Sequence, residues 1–124
     1  MMDIDEYLKG ILGQILDSYK ILVELENDPN DLGIIKKETA KINGLLQVIY
    51  NKLSAKKYQS DHLVTLRKLS IHYIDTYDYS REIEYLNQIY DEDTSRIKNL
   101  RTLVINSLND KNMIEKFQIM LNEL

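Results

Sequence analysis

Arg67 and His72 stand five positions apart in the run Arg67-Lys68-Leu69-Ser70-Ile71-His72, and few other residues of this chain are equipped for catalysis. A histidine titrates near neutral pH and serves as general acid or base. An arginine holds a phosphate and stabilises charge developing on it. Together they suit cleavage of RNA through its 2′-hydroxyl. On one helix, five residues turn through about 500°, which leaves the two side chains about 140° apart. They meet on one phosphate only where the helix ends or bends between them, or where two copies face each other. Other constellations are missing. The chain has no Cys and no glycine-rich phosphate loop, and its only histidines, His62 and His72, lack the spacing of a helical metal pair. Asp91-Glu92-Asp93 lacks the glycine and the alternation of a calcium loop. No metal and no cofactor is expected.

The elements that position these residues read as helices. Asp3 with Glu6 makes a capping-box-like start, and Ile4, Leu8, Ile11, Ile15, Leu22 and Leu25 recur every three or four residues. Leu12, Leu16, Tyr19 and Val23 widen that stripe. Gly10 and Gly13 inside it suggest close packing against another backbone. Asn27-Asp28-Pro29-Asn30-Asp31 ends this first helix with turn chemistry. A second helix is predicted from about Gly33 to Ala55, with Ile35, Ile42, Leu45, Leu46, Ile49 and Leu53 as its seam. Ser60-Asp61 is placed to cap a third, carrying Leu63, Leu66, Leu69, Tyr73 and Tyr77, and Ser80 to cap a fourth. Asp91 to Thr94 interrupts the spacing that runs from Ile83 to Leu108, with Thr94 a candidate cap. Asn109-Asp110 opens the last helix, which holds Met113, Phe117, Met120, Leu121 and Leu124. With one Pro, four Gly and no strand-length alternation, the expected fold is an all-α antiparallel bundle of five to six helices, one domain over 1–124.

Composition narrows the function classes. Leu and Ile supply 34 positions, enough for one sizeable core. No apolar run approaches the ~20 residues of a membrane span, and the acidic start Met1-Met2-Asp3-Ile4-Asp5-Glu6 is unlike a signal peptide. No membrane contact and a cytoplasmic location are expected. The net charge of −4 resolves into blocks: −6 over residues 1–31, +6 over 32–72, −6 over 73–95 and +2 over 96–124. Such blocks suit helices whose outer faces complement their neighbours, and the basic one offers a local surface to phosphate or to an acidic partner. Tyrosine is the favoured aromatic, nine against one Phe and no Trp, with five of the nine between residues 73 and 90. Tyr joins an apolar ring to a hydroxyl that needs a partner, which suits interfaces.

The Arg67…His72 spacing resembles the R-x4-H motif of HEPN domains, compact helical bundles found in metal-independent ribonuclease toxins and defence proteins. The motif lies past mid-chain after two long helices, a layout similar to the HepT toxins. The resemblance implies an endoribonuclease with Arg67 and His72 as catalytic residues, paired across a homodimer, and RNA as substrate. Lys68 stands where the family usually has Asn, Asp or His, and Tyr73 directly follows the histidine where HepT proteins place Tyr two positions on. A fainter resemblance, through Tyr77-Asp78-Tyr79-Ser80-Arg81-Glu82, is to the small helical subunits of type III CRISPR effector complexes, which carry Gly-Arg after their Tyr.

From the residues themselves, the leading expectation is a protein-interaction module. Such a module would be an adaptor or inhibitor, of the kind used by phages, mobile elements or defence systems, docking on a partner protein through a Tyr-rich face. Tyr77, Tyr79, Tyr85 and Tyr90, with Arg81 among them, are its expected contact residues.

Overall fold

The computed structural model describes residues 4–89 and 92–123. They form six α-helices: α1 (Ile4–Glu24), α2 (Asp31–Ser54), α3 (Asp61–Thr76), α4 (Ser80–Ile89), α5 (Thr94–Leu108) and α6 (Met113–Glu123), with a single 3₁₀ turn (Asp110–Asn112) before α6. No strand occurs among the described residues, and the all-α helical bundle is the fold. The long helix α2 is its central element, packing on α1 and α3 and also touching α4 and α5, while α6 returns against α1.

The apolar seams predicted from spacing meet in one core. Leu8, Leu12, Ile15 and Leu22 of α1 face Ile35, Ile42, Leu46 and Ile49 of α2, with Leu66, Ile97, Leu108 and Phe117 closing the centre. Each such fully buried side chain contributes about 1.5–3 kcal/mol, set against the entropy of ordering it. Leu45 stays only half-buried. Val23 does not belong to the seam; it is exposed, on the last turn of α1. Nor do the glycines mark a close approach. A Cβ at Gly10 or Gly13 would meet nothing within 4 Å, so these positions are merely open helix surface. Asp3 and Leu124 lie outside the described residues.

Caps and turns rest on different residues from those the sequence suggested. Asp93, not Thr94, caps α5: its carboxylate accepts the Arg96 amide at 3.1 Å. Ser60 occupies the residue before α3, yet its hydroxyl bonds His62 Nδ1 at 2.6 Å and makes no cap bond. At the start of α4 the acceptor is Asp78, which receives both the amide (3.0 Å) and the hydroxyl (2.6 Å) of Ser80, and these bonds hold its carboxyl below the usual range. The chain leaves α1 through Asn27 in the left-handed region (φ 65°). There Arg101 of α5 donates to the Leu22 and Val23 carbonyls and to Asn27 Oδ1. A cation placed on carbonyls that the helix leaves unpaired both satisfies them and offsets the helix dipole.

Candidate functional site

Three places on this scaffold hold the residues singled out by sequence: the C-terminal end of α3, its middle where it faces α2, and the groove between α4 and α5. The first gathers around His72. Its Nε2 lies 2.8 Å from Asp110 Oδ2 in the 3₁₀ turn, and the same oxygen accepts the Tyr77 hydroxyl at 2.8 Å. Thr76 Oγ1 lies 3.5 Å from His72 Nδ1. Tyr77 also makes a T-shaped ring contact with the imidazole and lies 5.2 Å from the ring of Tyr73. The turn that presents Asp110 is held open by Lys111 (φ 53°) and Asn112 (φ 57°), both left-handed. That conformation costs roughly 1–2 kcal/mol at a side-chain-bearing residue.

The electrostatics of this cluster follow from its bonds. The His72 and Tyr77 hydrogen bonds hold the Asp110 carboxyl below its ordinary value, and the carboxylate in turn pushes the Tyr77 hydroxyl up. Tyr73, 2% exposed, is pushed up to about 12, chiefly because burial penalises its phenolate; its hydroxyl lies 3.4 Å from Ser107 Oγ. A carboxylate that fixes an imidazole is a recurring catalytic pairing. Here the same oxygen is shared with a tyrosine, and the three groups tie the end of α3 to the turn before α6.

The middle of α3 carries Arg67, on a face toward α2. Its Nε donates to Ser54 Oγ at 2.9 Å, and its guanidinium lies 5.0 Å from the centroid of the Tyr50 ring. Both partners belong to α2. Arg67 and His72 therefore leave one uninterrupted helix toward different elements, and within one chain they are not brought together. A site built from this pair would need a second copy of the chain to complete it.

The tyrosines divide in the same way. Tyr77 and Tyr79 stack on each other (6.3 Å, 12°), both half-buried, and Tyr79 donates to the Leu103 carbonyl at 3.3 Å. Arg81 is exposed on the first turn of α4. Tyr85 stands 51% exposed beside Leu103, 54% exposed, in a groove of about 230 Å³ whose other walls include Glu82, Leu86, Asn99 and Leu100. Tyr90 lies outside the described residues. Sequence reasoning missed Asp110 and Leu103. In the sequence Asp110 signals only a helix start, and Leu103 falls off the apolar spacing of α5.

No family model, no curated protein and no solved structure matches this chain. Among the described residues no helix is long and apolar enough to cross a membrane, and no three His, Asp or Glu side chains gather as metal ligands would.

Proposed function

We propose that the protein is an interaction module whose docking face is the α4–α5 groove around Tyr85 and Leu103. The observation that carries this reading is the exposure of large apolar side chains at one place. Tyr85, Ile89 and Leu103 each leave more than half their surface in water, and Tyr85 and Ile89 share a face of α4 one turn apart. Buried Leu86 and Leu100 form the floor between them. An aromatic anchor over an apolar floor with polar residues at the rim is the anatomy of a protein interface. The rim carries one acid, Glu82, and one cation, Arg96, so the fitting partner is an amphipathic segment that docks chiefly through its apolar stripe. Of the contact residues expected from sequence, Tyr85 anchors this face and Arg81 borders it. Tyr77 and Tyr79 support the chain behind it, because their rings and hydroxyls are engaged by neighbours.

The ribonuclease reading has no comparable support within one chain, since His72 turns to Asp110 while Arg67 turns to Ser54 and Tyr50 of α2, so the pair does not converge. The test compares the wild-type protein with a Tyr85→Ala/Leu103→Ala double variant and with Gln47→Ala, a control on the exposed side of α2. Immobilised wild type and the Gln47 variant should retain one partner carrying an amphipathic segment, which the double variant releases. Sedimentation of the free protein identifies the alternative occupant: a dimer that the double variant converts to monomer makes the groove a self-association face. Retention of the same partners by the folded double variant defeats the proposal.

A further inference from the structure

A second recess, on the far side of α3 from His72, has the composition of a ligand site. The end of α2, the connection 55–60 and the first turns of α3 enclose a cavity of about 330 Å³. Its apolar walls are Leu53, Leu63 and Val64, with Tyr58 at one side. Three cations line it, Lys56, Lys57 and Arg67, and no acidic residue does. Among the described residues none of the three has an ion-pair partner. Lys56 lies over the Tyr58 ring at 5.2 Å, while Arg67 is aimed by Ser54 and the Tyr50 ring, and among the described residues no protein group accepts from its terminal N–H groups. The remaining bonding capacity of the Ser54 hydroxyl adds a donor at the same wall.

Lysines at a helix C-terminus complement its dipole, and that accounts for part of this charge. It does not account for Arg67, which comes from another helix and is held in place by two side chains of α2. A fixed guanidinium with free donors, two ammonium groups without ion-pair partners and an aromatic and aliphatic wall fit one ligand chemistry. We propose that this cavity binds a small organic phosphate with a flat apolar portion, in the size class of a nucleoside monophosphate. The phosphate would sit between Arg67 and Lys57, and the flat portion against Tyr58, Leu63 and Val64. The volume lies at the low end of the range for small-molecule sites, about 300–1,000 Å³, which favours a compact ligand over a polymer. The site is independent of the α4–α5 groove and requires no convergence of Arg67 with His72.

The test is titration calorimetry of the full chain with adenosine monophosphate, adenosine and inorganic phosphate, beside NMR shift mapping of the same samples. Adenosine monophosphate should bind at least about tenfold more tightly than either fragment, with shifts confined to residues such as Ser54, Lys57, Tyr58 and Val64. Arg67→Ala and Lys57→Ala should each weaken binding about tenfold or more, as loss of a charge-assisted contact does. Tyr58→Leu should weaken adenosine monophosphate while leaving phosphate unchanged, a split that general loss of structure would not produce. Circular dichroism establishes that each variant is folded. Equal binding of adenosine monophosphate and inorganic phosphate overturns the proposal, as do shifts scattered over the surface, binding unchanged in the Arg67 and Lys57 variants, or no binding at millimolar ligand.

Discussion

Arg67 and His72 leave the same helix within two turns of each other, yet their surroundings differ in kind. At the His72 end the polar groups of the cluster are matched inside the chain: Asp110 is bonded to both His72 and Tyr77, and the ring of Tyr77 rests on Tyr73 and Tyr79. Around Arg67, three cations border a cavity with no acid in its lining. Charge that is matched internally holds a fold together, whereas charge left unmatched around a recess is available to a ligand. The side chain with the more familiar catalytic chemistry therefore sits on the structural side of α3, and its less conspicuous partner sits on the open side.

Breaking the structural side should have the largest effect. Tyr73→Ala removes a buried ring that contacts Tyr77 and faces Ser107, and should cost about 3–5 kcal/mol, as large-to-small aromatic truncations in cores do. For a domain of this size, a thermal melt should fall by on the order of 10 °C. A loss no larger than that of Arg67→Ala would erase the distinction between the two sides.

The acid side of the stability profile separates them next. Asp110 has its carboxyl held below the ordinary value, about 3.9, by His72 and Tyr77. Its folded-state value lies below its unfolded one, so its contribution is fully present above the unfolded value. That contribution is lost as pH falls through the folded one. Melting temperature measured from pH 6 to pH 2 should therefore drop more steeply in the wild type than in Asp110→Asn. The variant should start lower at pH 6 and converge with the wild type at the acid end. Parallel profiles would mean that Asp110 does not hold the turn to α3 through its charge.

How much of this could be read in advance follows from the range of each interaction. The core seams are local: an apolar residue every three or four positions specifies a helix face, and Leu8, Ile42, Leu66, Ile97 and Phe117 all lie where that spacing puts them. Helix ends were placed within a few residues, yet the capping atoms were misassigned. Asp93 and Thr94 are both able to cap, and only the backbone path decides which does. The partner of His72 lies 38 residues away, beyond any helical repeat. The cavity around Arg67 depends on how residues 55–60 cross from α2 to α3, which a block of positive charge signals without locating. The five tyrosines of 73–90 read as one face, but the turn at 77–79 divides those described into an inner stack and the exposed Tyr85.

The smallest expected effect is also the one that tests the open side most directly. If Arg67 serves to receive a ligand, its removal should hardly disturb the empty protein. Arg67→Ala gives up one hydrogen bond to Ser54 and one cation–ring contact with Tyr50, a combination worth about 1 kcal/mol at a partly exposed site. Removing a cation from an uncompensated cluster with Lys56 and Lys57 relieves repulsion in the opposite direction. The two terms should nearly cancel, and the melting temperature of Arg67→Ala at low ionic strength should stay within a few degrees of the wild type. Added salt should then stabilise the wild type more than the variant, because screening relieves repulsion that the variant no longer has. A large loss of stability in Arg67→Ala, with salt affecting both proteins alike, would make Arg67 a packing residue like Tyr73 and its surroundings equivalent to those of His72.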